Sequence, residues 1–149
     1  AAKRVEAQVN KAIEQGAKLL LGNERHGAFY GPTVLDGVDG SMDIAHDVEV
    51  FGPVFPVMTF DTLKEAIAIA NDTKYGLGSC ILTKDLSVAM KAALELEAGS
   101  VVINGQSLYR NLLTPYGANK NSGLGREGQT QTLLAMTQTK NIVFKNILK

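Results

Sequence analysis

The central part of the sequence, residues 53–104, reads PVFPVMTFDTLKEAIAIANDTKYGLGSCILTKDLSVAMKAALELEAGSVVIN. Its apolar segments rich in β-branched residues predict three strands, at residues 54–60, 77–83 and 101–103. Between them lie two segments with helical spacing of apolar side chains. Thr62 and Glu65 form a capping-box pattern before the first, and Asp85 is suited to cap the second. Strands joined by such helices predict an α/β fold, with an open parallel sheet and helices on both faces.

An amphipathic helix and a short strand are predicted before this region. Residues 3–15 repeat apolar side chains at i, i+4, i+7 and i+8, and Gly16 is suited to end the helix. The apolar run Leu19–Leu21 predicts a buried strand, and the segment around Pro32 is predicted to be extended. Because the chain starts at Ala1 without a methionine and enters this helix at once, we expect it to be part of a longer polypeptide.

The sequence changes character after the third strand of the central region. Residues 105–128 are rich in Gly, Asn, Ser and Lys and show no periodicity, which predicts a loop. Loops of this length inside a compact domain are usually functional or disordered. A short helix is predicted near residues 129–136. Ile142–Phe144 and Ile147–Leu148 then predict a terminal strand, which needs a partner edge.

Composition excludes several classes of protein. The 149 residues suffice for one domain or a part of a larger protein. The 15 basic and 15 acidic residues give zero formal charge, which disfavours a nucleic acid as partner. No apolar run approaches the ~20 residues of a membrane span. A single cysteine excludes an intrachain disulfide and predicts a reducing, cytoplasmic location.

The glycines of Gly123–Gly128 match G-x-G-x-x-G, a pattern found in dinucleotide-binding loops. No strong predicted strand precedes them, and no acid follows Glu127 to bind a ribose. A backbone role for these glycines is therefore favoured, and an independent nucleotide-binding module is disfavoured. Cys80 is interpreted as a small core hydrophobe, since it lies inside a buried-strand pattern. His26 and His46 lack metal-ligand spacing, so no metal site is predicted.

Two acids stand out by their positions. Glu49 precedes Phe51 and a Gly-Pro pair at the mouth of the first central strand, where parallel sheets bind ligands. A carboxylate there can accept hydrogen bonds from sugar hydroxyls. The alternative is a turn acid beside a core Phe51, which the local residues alone favour. Glu127 precedes a predicted helix, either as a dipole-favoured residue or as a proton acceptor at a cleft.

Four segments together resemble, in order and spacing, the C-terminal part of the aldehyde dehydrogenase superfamily. They are Glu49–Pro53 (EVFGP), Asn71–Leu77 (NDTKYGL), Gly99–Asn104 (GSVVIN) and Lys120–Gly128 (KNSGLGREG). The resemblance extends over essentially the whole chain and is closest to bacterial lactaldehyde, glyceraldehyde or semialdehyde dehydrogenases. It divides the chain into a catalytic-domain portion, residues 1–136, and an oligomerisation strand, residues 137–149.

The resemblance implies an oxidoreductase that oxidises an aldehyde to a carboxylate with NAD or NADP, through a cysteine thiohemiacetal and thioester. The family's catalytic cysteine and cofactor domain lie upstream and are absent from this chain, and Cys80 does not match the nucleophile's motif. We therefore expect the 149-residue chain alone to be inactive. The implied partners are a small aliphatic aldehyde, the missing N-terminal part of the enzyme, and further copies in a dimer or tetramer.

The resemblance also assigns roles on the cofactor side. Glu49 matches the acid that holds the ribose hydroxyls beside the nicotinamide. Phe51 matches an aromatic that packs beside that ribose and the nicotinamide, and Leu77 would approach the nicotinamide. Glu127 matches an acid in a buried proton relay.

On the substrate side, Tyr116 matches a tunnel-lining position that is usually Phe, and the added hydroxyl suggests a more polar aldehyde. The active-site loop 105–128 includes Tyr109 and Arg110 as further lining residues. Arg110 is suited to pair with a carboxylate or hydroxyl at the far end of the aldehyde. A solvated surface arginine is the favoured alternative.

We expect Glu49, Tyr116 and Glu127 to face one common cavity, as parts of a single active centre. The alternative to an enzyme portion is a non-catalytic assembly module, whose open sheet edge and terminal strand bind another polypeptide.

Overall fold

The computed structural model describes residues 1–146, so the Ile147–Leu148 part of the predicted terminal strand lies outside the described residues. The elements are α1 (Ala2–Glu14), β1 (Lys18–Leu21), β2 (Arg25–His26), β3 (Phe29–Tyr30), β4 (Thr33–Asp36), β5 (Val54–Pro56), α2 (Leu63–Asn71), β6 (Tyr75–Gly76), β7 (Gly78–Ile81), α3 (Leu86–Glu95), β8 (Ser100–Ile103), β9 (Tyr116–Gly117), β10 (Asn119–Lys120), β11 (Arg126–Glu127) and α4 (Gln129–Ala135). A 3-10 helix covers Asp43–Ala45.

The N-terminal helix is amphipathic, as the apolar spacing predicts. Val5, Val9 and Ala12 on α1 are buried in a core that also contains Leu35 and Met42. After the helix the chain reverses at a glycine with φ +118°, a left-handed conformation that glycine adopts readily. This core anchors the N-terminal half of the chain.

The first sheet has the order β1-β4-β5. β4 pairs with β5 in parallel, with Thr33 opposite Val54, whereas β1 pairs with β4 antiparallel. The prediction that Leu19–Leu21 is a buried strand is wrong in its burial, because all three leucines are exposed. β1 is an edge strand that pairs only with β4 among residues 1–146, so its apolar side chains lack a covering layer.

The second sheet consists of β7 and β8, which pair in parallel and are joined by α3. This is the predicted crossover unit. The Oγ1 atom of Thr62 accepts the Glu65 N–H at 3.2 Å, and the Asp61 N–H donates to the Glu65 carboxylate at 2.8 Å. The Asp85 carboxylate accepts two N–H groups of the first turn of α3. Both predicted helix starts are confirmed.

The mixed α/β character is confirmed, but the parallel pairings are divided between two sheets within residues 1–146. β5 does not pair with β7 there, so a single open parallel sheet is not formed by this chain. β5 has only three residues and ends in Pro56, which has no N–H to donate to a ladder. α3 packs on β7 and β8, and α2 packs against α3.

Residues 105–128 contain more secondary structure than the sequence indicates. β9 pairs with β11, which places Tyr116 opposite Glu127, and β10 pairs with β6, which places Lys120 opposite Tyr75. The segment is therefore a folded layer and not a plain loop. The helix predicted after it is present as α4.

This layer lies against the rest of the chain with no room between backbones. A Cβ at Gly99 would come within 1.8 Å of the Gly117 carbonyl oxygen, and a Cβ at Gly117 would come within 2.3 Å of the Gly125 carbonyl oxygen. Only glycine permits these approaches. They set the position of β9, and with it that of Tyr116.

The segment 137–146 forms no strand in this chain, and its side chains are exposed. A terminal strand requires the edge of another sheet. An oligomerisation strand over residues 137–149 therefore stays a prediction. Among the residues described, no helix is both long enough and apolar enough to cross a bilayer.

The chain exposes 11006 Å² of surface. A compact protein of its mass, 15.9 kDa, would expose about 7,400 Å². Much of the excess is apolar and belongs to the strands and loops, including Phe55, Leu82 and Leu124. The interpretation of Cys80 as a core residue is also wrong for this chain: its side chain is exposed, on a groove between the second sheet and α2. An uncovered sheet face accounts for both findings.

Candidate functional site

The predicted site residues other than Phe51 line three surface cavities. The first, called here the Glu49 cavity, has a volume of about 290 Å³. Its walls include Glu49, Leu77 and the backbone of Gly76–Gly78. Two residues assigned to the cofactor side thus line one space, in which a carboxylate acceptor stands beside an apolar side chain.

The segment that carries Glu49 has an uncommon backbone. Asp47 has φ +53° and Phe51 has φ +47°, so both residues that lie two positions from Glu49 are left-handed. Left-handed residues other than glycine are strained and concentrate at functional sites. The Phe51 side chain is 77% exposed, so the alternative of a core phenylalanine is wrong for this chain. Phe51 is available to a ligand or to a covering surface.

Asp47 ties this segment to the turn after α2. Its carboxylate accepts the Thr73 hydroxyl at 2.7 Å and the Lys74 N–H at 2.8 Å. The Thr73 hydroxyl and then the Lys74 N–H, by donating to the charged form, lower the pKa of the Asp47 carboxyl below its ordinary value. Sequence reasoning missed Asp47, because only the tertiary fold brings it to the NDTKYGL motif.

The backbone around Leu77 is fixed from the other side. The Gly76 N–H donates to the Ser122 hydroxyl at 2.9 Å, and the Gly99 N–H donates to the Gly76 carbonyl at 3.0 Å. A Cβ at Gly76 would lie 2.5 Å from the Glu97 carbonyl oxygen. Three segments of the resemblance therefore meet at this residue.

The second space, the Glu127 cavity, has a volume of about 860 Å³ and is lined by Arg110, Tyr116 and Glu127. The antiparallel pairing of β9 with β11 places the aromatic ring and the acid opposite each other. Sequence reasoning assigned these three residues to substrate and proton relay, and the structure brings them together.

Arg110 contacts both neighbours. Its Nη2 lies 3.3 Å from the Glu127 carboxylate, and its guanidinium stacks on Tyr116 at 3.6 Å from the ring centre. This geometry combines an ion pair with a cation–π contact. The Arg110 side chain is 52% exposed and that of Glu127 is 75% exposed, so the pair lies at the surface of this chain. The buried position that the resemblance implies for Glu127 is therefore not observed here, and the pairing of Arg110 with a substrate stays a prediction.

Tyr109 lies on a third cavity of about 290 Å³, whose walls also include Arg110 and Tyr116. All three predicted substrate-lining residues are therefore neighbours. The expectation of one cavity shared by Glu49, Tyr116 and Glu127 is not met, because Glu49 lines a different space from the other two.

The glycines of Gly123–Gly128 serve the backbone, as predicted. Those at 123, 125 and 128 have φ of +151°, +88° and +139°. The Arg126 guanidinium donates to the Ala118 carbonyl at 2.6 Å and to the Asn119 side chain at 2.9 Å, which fastens β11 to the residues after β9. Within residues 1–146, no three His, Cys, Asp or Glu side chains come together as a possible metal site.

These features define an α/β chain with an acid opposite an aromatic residue at one cavity and an acid and an apolar side chain at another. Residues 1–142 match the aldehyde dehydrogenase family, and the chain belongs to that family.

Two solved structures and one curated protein show the extent of the similarity. The chain is 44% identical over 142 residues to 3-sulfolactaldehyde dehydrogenase of Priestia megaterium, covering 95% of this chain and 30% of that protein. It is 45% identical to glyceraldehyde-3-phosphate dehydrogenase GapN of Methanocaldococcus jannaschii, solved with NADP, with a TM-score of 0.86 over 91% of this chain and 29% of that one. Aldehyde dehydrogenase 21 of Physcomitrella patens, solved with the reaction product succinate, gives 40% identity and a TM-score of 0.92, covering 98% and 30% of the two chains. The chain thus spans about 30% of the length of these relatives.

Proposed function

We propose that this chain is the C-terminal portion of an enzyme that oxidises an aldehyde to a carboxylate with NAD or NADP. The reaction consumes one aldehyde, one NAD(P)⁺ and one water, and yields one carboxylate, one NAD(P)H and two protons. The nucleophilic cysteine would come from the upstream part of the enzyme and would form the thiohemiacetal and the thioester.

The observation that carries this proposal is the placement of Glu127 opposite Tyr116, with both residues on the wall of one cavity. A carboxylate beside a substrate space is suited to accept a proton from water during thioester hydrolysis. Tyr116 would line the path of the aldehyde, and its hydroxyl adds a polar group to that wall.

The Glu49 cavity fits the nicotinamide end of the cofactor. Glu49 offers a carboxylate to ribose hydroxyls, and Leu77 offers an apolar contact for a flat ring. The exposed Phe51 ring would pack beside the same group. When bound, NAD(P)⁺ supplies the hydride acceptor, and the three residues hold and orient it. The NADP in the M. jannaschii relative supports this class of cofactor.

The substrate we propose is a small aliphatic aldehyde with a polar or anionic group at its far end. Arg110 is the cation on the substrate side, held at the mouth of the Glu127 cavity by Tyr116. The relatives named for 3-sulfolactaldehyde and glyceraldehyde-3-phosphate, and the one solved with succinate, all handle molecules with such a group.

The surface that this chain exposes in excess of a compact protein suggests that further protein covers it. The excess over a compact protein is about 3,600 Å² on this chain alone, several times the ~800 Å² that each partner buries in a standard interface. We propose that the upstream part of the enzyme covers the sheet faces, and that residues 137–149 add a strand to a second copy in a dimer or tetramer.

The test is aldehyde-dependent formation of NAD(P)H by the full-length polypeptide that carries this sequence. We expect activity with aldehydes that bear a carboxylate, phosphate or sulfonate, and none from the 149-residue chain alone. Full-length Glu127→Gln is the test variant, because it keeps the size of the side chain and removes its charge. We expect it to lose most turnover. Full turnover in that variant would contradict the role of Glu127.

A non-catalytic assembly module is the second candidate, favoured by the uncovered apolar surface alone. It predicts that no natural polypeptide carrying this sequence contains an upstream catalytic cysteine. It also predicts that full-length protein binds a partner chain but reduces neither NAD nor NADP with any aldehyde.

A further inference from the structure

The Lys120 side chain makes three tertiary contacts, although the sequence around it is polar and loop-like. Its Nζ donates to the carbonyl oxygens of Asn71 at 2.7 Å and Thr73 at 3.0 Å, and lies 2.7 Å from the Glu97 carboxylate. These contacts use all three donors of an ammonium group. The side chain is only 24% exposed, so water competes weakly for them.

The three partners stand on two sides of the Glu49 cavity. Asn71 and Thr73 belong to the end of α2 and the turn after it, whereas Glu97 follows α3. Lys120 is not itself on the cavity wall. Its ammonium group therefore links the two walls from behind.

The Lys120 backbone makes a second connection. Lys120 pairs with Tyr75 in the β10–β6 ladder and has φ +51°, a strained conformation for a residue with a side chain. Tyr116 lies four residues before it and Glu127 seven residues after it. The residue thus fastens the segment that carries the Glu127 cavity to the segment that leads to Leu77.

We propose that Lys120 is a positioning residue, which holds the two walls of the Glu49 cavity at the spacing that NAD(P)⁺ requires and fixes that cavity to the Tyr116–Glu127 segment. This rests on the proposed function. The Asn71 side chain also joins the two walls, since it accepts the Glu97 N–H at 2.9 Å and donates to the Glu95 carbonyl at 2.8 Å. Without the ammonium group, the turn at Asn71–Lys74 would keep these two bonds but lose its link to the Glu97 carboxylate, and the Gly76–Gly78 backbone would move more freely.

The central comparison is Lys120→Met against Lys74→Met, in the full-length polypeptide that carries this sequence. Methionine keeps the length of the side chain and removes the charge. Lys74 belongs to the same turn, but its ammonium is exposed and 4.0 Å from Asp47, so its loss is a matched control. Lys120→Arg restores a cation, and Glu97→Gln removes only the ionic partner.

Three quantities separate positioning from general stability. Calorimetry gives the Kd of NAD⁺ and NADP⁺, hydrogen exchange gives the opening of the Gly76–Gly78 amides, and steady-state kinetics give kcat and both Michaelis constants. We expect Lys120→Met to raise the cofactor Kd by about 10-fold or more, the loss of a hydrogen-bonded charge. Exchange should rise at Gly76–Gly78 and stay unchanged in α1. Lys120→Arg should recover part of the affinity, and Lys74→Met should match wild type.

An unchanged cofactor Kd in folded Lys120→Met overturns the proposal, and so does an increase in exchange spread evenly over the chain. If Lys120→Met does not fold, Glu97→Gln decides: a Kd raised by about threefold or more supports positioning, and a wild-type Kd overturns it. Wild-type protein that binds NAD(P)⁺ but oxidises no aldehyde contradicts the proposed function and leaves this test intact. If wild type binds neither cofactor, the exchange at Gly76–Gly78 decides alone.

Discussion

Glu49 lies between two residues with a left-handed backbone, and its neighbour Asp47 is bound to the turn that precedes Leu77. The carboxylate is exposed in this chain, whereas the backbone that carries it is fixed. The position of the Glu49 backbone is therefore set before a ligand arrives. Such preorganisation lowers the entropic cost of holding a cofactor for reaction.

At Glu49 we predict that Glu49→Gln in the full-length enzyme slows hydride transfer by about 10- to 100-fold, since a hydrogen bond to a charged group is lost. Single-turnover measurement of NAD(P)H formation isolates this step. Glu24→Gln, an exposed glutamate in the turn before β2, is the control and should leave the rate unchanged. An unaltered single-turnover rate in Glu49→Gln would reject the role of this residue.

At Arg110 we predict that Arg110→Ala raises the Michaelis constant of an anionic aldehyde by about 10-fold or more, and that of a neutral aldehyde of equal size far less. The guanidinium lies over Tyr116, so the substitution also removes packing from the cavity. Comparison of the two aldehydes cancels that shared loss. Equal changes for both would exclude pairing with the substrate.

At Asp47 the pH dependence of stability follows from its lowered pKa. A carboxyl with a folded-state pKa below its unfolded value stabilises the fold above the unfolded pKa, and this contribution is lost as the pH falls through the folded pKa. We expect the thermal midpoint of wild type to fall on acidification from about pH 5 to about pH 3. Asp47→Asn keeps an acceptor for Thr73 and Lys74 but does not titrate, so its midpoint should fall less.

Lys74 and His46 are the basic groups whose charges act on Asp47. Asp61→Asn, on the exposed turn before α2, is the matched control and should follow wild type. Parallel acid curves for Asp47→Asn and wild type would show that Asp47 does not contribute.

At the scale of elements, the Gly99–Gly117 contact sets the spacing between β8 and the layer that carries Tyr116. Gly99→Ala would drive a methyl group into a backbone carbonyl, so we predict a loss of at least about 2 kcal/mol in the free energy of unfolding. Gly40→Ala is the control, because its Cβ would meet nothing within 4 Å, and we expect a change within about 0.5 kcal/mol. Denaturant titration measures both, and equal stabilities would contradict the contact.

Helix starts and the approximate positions of β5, β7 and β8 were predictable because their signals are local, although β5 ends four residues earlier than predicted. The two-residue strands β9, β10 and β11 were not predicted. The Thr62 and Asp85 caps depend on residues two or three positions away. The exposure of Leu19–Leu21 and Cys80 was not predictable from the sequence, because it depends on which surfaces cover these residues and not on their own apolar character. The prediction of strand partners was wrong for the same reason. β5 and β7 each have the sequence pattern of a sheet strand, yet they lie in different sheets.

The residues of the candidate site also differ in whether a short sequence pattern identifies them. Glu49, Tyr116 and Glu127 were identified by resemblance of short motifs. Asp47 and Lys120 were missed, because their partners lie 23 to 49 residues away in sequence. Side chains that position others leave no short-range pattern, so only the folded chain reveals them.

At the scale of the whole molecule, the surface of the chain exceeds that of a compact protein by about half. We predict that the 149-residue chain alone self-associates in gel filtration and enhances the fluorescence of an apolar dye, because its sheet faces are uncovered. The full-length polypeptide is the control and should give a defined oligomer with little dye response. If the 149-residue chain is monomeric and does not bind the dye, its sheet faces do not drive association, and the prediction is wrong.

The three exposed leucines of β1 affect how much of the protein accumulates in a cell. While nothing lies over them, they form an open strand edge of the kind that chaperones and quality-control proteases recognise. Newly made copies would be retained or degraded until that edge is shielded. The amount of this polypeptide at steady state would therefore depend on how quickly that edge is shielded, as well as on its own rate of synthesis.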